Sequence, residues 1–250
     1  MTRGRRSRLA VVAAVPVALV GLGALLAVQV LLARRGPMLE GPPLDLDGRV
    51  GGSGPVLSVV WLGDSTAAGV GATEGSDALP TVVATRAGRP VELRVLAVSG
   101  ERVGGVVDEQ LPALAALEPD VVFISVGAND VTHLTTRDDF GDRYRALLAG
   151  LPAGVVVVAL GVPDMGAVPR LAQPLRAVAG FRGRELDEVV REVAAEHGAV
   201  YVPIASATVP AFRADPARFF AADDYHPSPA GYRLWADAVV AALEGTALAP

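Results

Sequence analysis

The residues that could do chemistry stand in four short segments far apart in the chain. WLGDSTAAGVG (61 to 71) puts Asp64 and Ser65 at the end of an apolar run and follows them with small residues. Gly100 closes VELRVLAVSG (91 to 100), GAND (127 to 130) carries Asn129, and DDYHPS (223 to 228) sets Asp223 three residues before His226. A serine hydroxyl is a poor nucleophile until a base takes its proton, and imidazole can do this near neutral pH. A carboxylate close to the imidazole fixes its tautomer and stabilises the imidazolium formed during attack. Charge developing on a substrate oxygen then calls for preorganised donors, one of which is typically worth about 3 kcal/mol of barrier. Backbone N–H groups of Ser65 and Gly100 and the Asn129 amide can supply them. Singly, each segment also has a plainer use: Gly, Asp and Ser form turns, Asn129 and Asp130 can end a strand, and Gly100 can simply permit a left-handed backbone.

Placement gives the segments a common edge. Short, Val-rich apolar runs at 55–63, 91–100, 120–127, 154–161 and 199–204 read as strands buried on both faces. Helical patterns at 76–88, 103–117, 137–149, 174–197 and 228–244 alternate with them. In RGRELDEVVREVAAEHG the apolar face runs through Leu186, Val189, Val190 and Val193 and stops at His197 and Gly198. Five strands alternating with helices predict an α/β protein, a three-layer α/β/α sandwich around a five-stranded parallel sheet. Right-handed crossovers put every strand's carboxyl end on one edge, outside which open α/β sheets bind ligands. Ser65, Gly100 and Asn129 then follow the first three strands at that edge. The DDYHPS segment precedes the last helix, with Ser228 and Pro229 at its start.

Taken together, GDS after the first strand, Gly100 after the second, GAND after the third and DDYHP before the terminal helix resemble the four consensus blocks of the SGNH hydrolase superfamily, the GDSL-type esterases and lipases. The resemblance covers residues 55 to 244. It implies a flavodoxin-like fold and makes Ser65 the nucleophile, with Asp223 and His226 completing a catalytic triad and Ser65, Gly100 and Asn129 forming the oxyanion hole. The chain departs from the pattern at Thr66, where leucine is usual, and Asp224 beside Asp223 is a competing orienting carboxylate. The implied activity is hydrolysis of carboxylic esters through an acyl-enzyme, with lipid, short-acyl and O-acetyl esters all open. An acyltransferase with the same acyl-enzyme and a non-catalytic envelope-binding domain are the alternatives; the intact Ser, Gly, Asn and His set argues against the second. Outside this set, Asp130 is given a local structural role, His197 a helix-end position, and His133 either pocket lining or an exposed loop. The Pro- and Gly-rich stretch 162–176, with Phe212, Phe219, Phe220 and Tyr225, either borders the acyl pocket or packs its loops.

The N-terminus carries a different signal. Residues 9 to 32 hold no charge and one strongly polar side chain, Gln29. That length covers the hydrocarbon core of a bilayer. Arg3, Arg5, Arg6 and Arg8 precede the run and only Arg34 and Arg35 follow it, so positive-inside counting puts the N-terminus in the cytoplasm and the rest outside. A cleaved signal peptide would have a shorter apolar stretch and a small-residue cleavage site, and LLARR is a poor one. The expected organisation is a transmembrane anchor within 1–35, a Gly/Pro-rich linker over 36–54, the hydrolase domain over 55–244 and a tail over 245–250, with secretion after cleavage as the alternative. Beyond residue 40 the acidic residues outnumber the arginines by ten and lysine is absent, a balance that disfavours nucleic acid as a partner. The absence of cysteine excludes a disulfide framework, a thiolate nucleophile and any Cys-based zinc site, and no His or carboxylate spacing points to another metal, so neither cofactor nor metal is expected.

Overall fold

Residues 20–33, 35–37, 39 and 43–246 are described by the structure, a computed structural model. Its sheet has strands β1 (Gly48–Val50), β2 (Leu57–Gly63), β3 (Val91–Val95), β4 (Val121–Ser125), β5 (Val156–Leu160) and β6 (Val200–Val202). Their order is β1-β3-β2-β4-β5-β6. The five apolar runs pair in parallel as β2 to β6, and β4, at the centre, is buried along its whole length. Burial along the whole of β4 is what its unbroken Val, Phe and Ile run demands, whereas β3, with Glu92 and Arg94, is only partly buried. Trp61 of β2 stacks on Phe123 of β4 at a centroid distance of 4.5 Å, which fills the middle of one face.

The sheet therefore has six strands and is mixed, where the sequence predicts five, all parallel. The added strand, β1, runs antiparallel to β3 and comes from inside the stretch read as linker. Three residues, GRV, are too few to show an alternation, and the surrounding glycines and prolines mask them. The segment is also stitched down: Leu46 is buried, and Asp47 accepts the Val95 N–H at 2.9 Å and pairs with Arg94 at 3.2 Å.

Between the strands lie α1 (Leu79–Thr85), α2 in three abutting segments (Val103–Gly105, a π-turn at Val106–Gln110, and Leu111–Leu114), α3 (Ala128–Thr132), α4 (Arg137–Ala149), α5 (Leu175–Glu196), α6 (Ile204–Ala214), α7 (Pro216–Phe219) and α8 (Pro229–Leu243). Two helical groups pack on the sheet, α1 with α8 and α4 with α5 and α2. Leu186, Val189, Val190 and Val193 of α5 are buried, as their spacing requires.

Residues 20–33 are helical and form the described end of the apolar run at 9–32; the earlier part of that expected span, like residues 247–250 of the tail, lies outside the described residues. Among the described residues no helix is long and apolar enough to cross a membrane.

Candidate active site

The serine is positioned by the way β2 ends. Gly63 has φ +142°, and a Cβ there would lie 1.9 Å from the Ser125 carbonyl oxygen, so only glycine lets the two strand ends approach. The Gln110 side chain meets both backbone groups of Gly63, accepting its N–H at 2.8 Å and donating to its carbonyl at 2.8 Å. Asp64 then donates its N–H to Ser125 O at 3.0 Å and turns its side chain back onto Thr66, accepting the backbone N–H at 2.9 Å and the hydroxyl at 2.8 Å. With its own proton given to Asp64, the Thr66 hydroxyl accepts from Ser125 Oγ at 2.7 Å. The threonine that stands where leucine is usual is thus part of a buried polar network holding the loop around Ser65. Burial pushes the Asp64 carboxyl up to about 6 although the bonds from Thr66 pull it down.

The base arrives from the other end of the domain. Ser228 caps α8 by accepting the Gly231 N–H at 3.2 Å, and the turn before it is closed by Asp223. One oxygen of Asp223 accepts the N–H groups of Tyr225 and His226, each at 3.0 Å, and the other meets His226 Nδ1 at 2.6 Å. His226 Nε2 lies 2.9 Å from Ser65 Oγ. Burial acts to raise Asp223, but the bonds from the His226 ring and from the two backbone N–H groups outweigh it and hold the carboxyl below the usual range. An ionised Asp223 fixes the proton on Nδ1 and leaves Nε2 to accept from the serine. Asp224 faces elsewhere: it is exposed, in a left-handed conformation at φ +56°, and its bonds are made by its backbone, the carbonyl accepting the Arg170 N–H at 3.0 Å and the N–H donating to the Ala221 carbonyl at 2.9 Å. Of the two adjacent carboxylates, Asp223 is the one on the imidazole.

Asn129 and Gly100 come from neighbouring loops at the same carboxyl edge. Asn129 Nδ2 donates one hydrogen to the Glu101 carbonyl at 2.9 Å, which ties α3 to the Gly100 loop and leaves the second amide hydrogen to point elsewhere. Gly100 has φ +86°, and the N–H groups of Gly100 and Ser65 donate to no described residue. Asp130 is buried and accepts from Val103 N–H at 3.1 Å and Thr135 Oγ1 at 3.0 Å, a local structural role. His133 is exposed and bonds only within its own turn, and His197 ends α5 against the Val193 carbonyl.

A cleft of about 520 Å³, counting its open mouth, leads away from Ser65 and His226. Met165, Val168, Val209, Phe212, Phe220 and Trp235 give it apolar walls. Of the stretch 162–176, residues from Pro163 to Val168 border it, as do Phe212, Phe220 and Tyr225, whereas Phe219 packs on Phe212 at 5.5 Å. Sequence reasoning missed α6, which brings Val209 and Phe212, because Pro210 interrupts its pattern. It also missed Gln110, whose only sequence signal is a polar residue inside a predicted helix.

A hydroxyl, an imidazole and a carboxylate in series at the carboxyl edge of an α/β sheet, opening on an apolar cleft, is the arrangement of serine hydrolases. Residues 61–234 match the GDSL-like lipase/acylhydrolase family, and the chain belongs to that family. A GDSL-like esterase of Mycobacterium tuberculosis is 34% identical over 195 residues, covering 75% of this chain; the chain spans 62% of that relative's length. Among solved structures, a lipase/acylhydrolase from Enterococcus faecalis superposes with a TM-score of 0.59 at 24% identity, over 76% of this chain and 96% of that one. An acetyl xylan esterase from Geobacillus stearothermophilus superposes with a TM-score of 0.61 at 20% identity, over 75% and 94%. At these identities the two structures speak for the fold.

Proposed function

We propose that the chain is a serine ester hydrolase that cleaves carboxylic esters through an acyl-enzyme. The observation that carries this is the continuous contact Ser65 Oγ to His226 Nε2 at 2.9 Å and His226 Nδ1 to Asp223 Oδ2 at 2.6 Å. In this reading Ser65 Oγ attacks the ester carbonyl carbon while His226 Nε2 takes its proton, and Asp223 stabilises the imidazolium. The N–H groups of Ser65 and Gly100 and the free hydrogen of Asn129 Nδ2 face the oxyanion. His226 then gives its proton to the leaving alcohol, and a water activated by the same nitrogen releases the acid. The apolar cleft beside the serine takes the acyl chain. The uncharged N-terminal run and its basic flank support a membrane-held enzyme with its domain on the extracytoplasmic side.

The test is hydrolysis of p-nitrophenyl butyrate by the purified chain. Ser65→Ala and His226→Ala are each expected to lower kcat by roughly 10⁴-fold or more while the fold, followed by circular dichroism, is kept. Undiminished turnover in Ser65→Ala contradicts the mechanism. Adding a competing alcohol reads how the acyl-enzyme divides between water and an acceptor, and a product that is mainly the new ester would make the chain an acyltransferase.

A further inference from the structure

We infer that the carboxyl edge of the sheet is a docking face for an anionic lipid bilayer, which would make esters of membrane-resident amphiphiles the substrates of the site; this rests on the hydrolase reading above. Within residues 43–246, five large apolar side chains are exposed: Val56, Val98, Leu134, Val178 and Phe181. Four of the five lie at that one edge. Val98 stands in the loop from β3 to Gly100, Leu134 just beyond α3 and Asn129, and Val178 and Phe181 in the first two turns of α5, which starts where the loop after β5 ends. Single exposed apolar residues need no explanation, but a concentration around one opening does. Leu134 is 66% exposed and left-handed at φ +59°, an unfavourable backbone for leucine. Its loop is held there, because Arg182 Nη2 donates to the Thr135 carbonyl at 2.6 Å and so ties Leu134 to α5 next to Phe181.

Helix 20–33 joins the same rim. Gln29, the one polar residue of the apolar run, is buried against the domain; its Nε2 donates to the Gln173 carbonyl at 2.5 Å and its Oε1 accepts the Leu175 N–H at 3.0 Å. That clamp sits at the first residue of α5 and leaves Leu22, Leu25, Val28, Leu31 and Leu32 exposed. Just after the helix, Gly36 abuts the Arg170 guanidinium, which lies 5.8 Å over the ring of Tyr225, the residue before His226. The end of the helix is therefore linked to the imidazole through two side chains, Arg170 and Tyr225.

Charge decides the occupant. In a domain with a large acidic excess, residues 165–184 hold no acid and carry Arg176 and Arg182, partly exposed, and Arg184, exposed, none of which takes part in an ion pair among the described residues; Arg170 is turned inward over Tyr225 with its Nε and Nη2 buried. Arg35, exposed, adds a fourth through its neighbour Gly36, which abuts Arg170. Apolar side chains bordered by arginines match an interface whose core is hydrocarbon and whose headgroups are negative. The uncharged residues 9–19 that precede the helix extend the same apolar character.

The experiment compares two esters on the full chain: p-nitrophenyl palmitate carried in phosphatidylglycerol vesicles and p-nitrophenyl butyrate in solution. Two variants are used, Leu134→Asn with Phe181→Gln, and Gln29→Leu, which keeps the run apolar but removes the clamp. Butyrate hydrolysis should stay within about twofold of wild type, since none of Gln29, Leu134 and Phe181 lines the cleft beside Ser65 and His226. Palmitate hydrolysis should fall about tenfold in the double variant, because two apolar side chains no longer enter the bilayer, and Gln29→Leu should lower it in the same direction. Phosphatidylcholine vesicles should lower the wild-type palmitate rate as well. A palmitate-to-butyrate ratio unchanged in both variants would overturn the docking face and leave the edge to a protein partner. Loss of both activities in wild type would instead remove the hydrolase reading beneath it.

Discussion

Asp64 stands one residue before the serine with its carboxyl fully enclosed, and that has a thermodynamic cost. Its folded value of about 6 exceeds the roughly 3.9 of an unfolded chain, so the folded state binds more protons. Such a group contributes stability that is complete below the unfolded value and lost as pH rises through the folded one. Asp64→Asn removes the dependence. Urea unfolding followed from below pH 4 to above pH 6 should therefore show wild type losing about 3 kcal/mol relative to the variant across that window. A pH-independent difference between the two would contradict this account. Asp223 has the opposite sign: held low, it stays ionised into acid and keeps orienting His226. Ser65 and His226, and a carboxylate at 223 or 224, are legible in sequence because the GDS and DDYHP blocks that carry the family resemblance contain them. The choice of Asp223 over Asp224 is not, since it turns on the left-handed backbone at Asp224, and the burial of Asp64 is hidden because an aspartate after a glycine reads as a turn former.

The end of β2 depends on an element that pattern alone describes poorly. Apolar periodicity places α2 correctly, but one widened turn at Val106–Gln110 leaves no mark on it. That turn delivers Gln110 to Gly63, where its amide satisfies a backbone donor and acceptor at once. Gln110→Leu should strand the Gly63 N–H in the core, while the Gly63 carbonyl keeps the Val98 N–H at 3.1 Å, and cost about 2 kcal/mol in chemical denaturation; a loss below about 0.5 kcal/mol, the range of ordinary surface changes, would show that the Gly63 N–H finds another partner. The long helix α5 and the terminal helix α8 are read to within a residue or so because each has an unbroken apolar face and clear ends, Ser228 and Pro229 at one start and His197 and Gly198 at the other stop. Helix α6 escapes notice because its proline breaks the signal that its buried Ile204, Thr208 and Phe212 would otherwise give.

For the molecule as a whole, the parallel order and the edge at which loops converge follow from alternation and handedness, so most of the architecture was readable. What was not is the closure of the sheet at β3. Without β1 the outer side of β3 would present unpaired N–H and C=O groups, a template for association. A chain beginning at Pro55 should melt lower and self-associate more than one beginning at residue 43, as followed by thermal unfolding and gel filtration; equal behaviour would make β1 dispensable.

A Cβ on Gly71 would lie 2.2 Å from the Pro227 carbonyl and 3.2 Å from His226 Cβ. The loop after the serine and the turn bearing its base are thus pressed together along a seam between segments separated by most of the domain's length. Chemistry at that seam reports completion: a nascent chain still waiting for its last helix carries an inert hydroxyl, and turnover begins only once the carboxyl-terminal turn has closed on it.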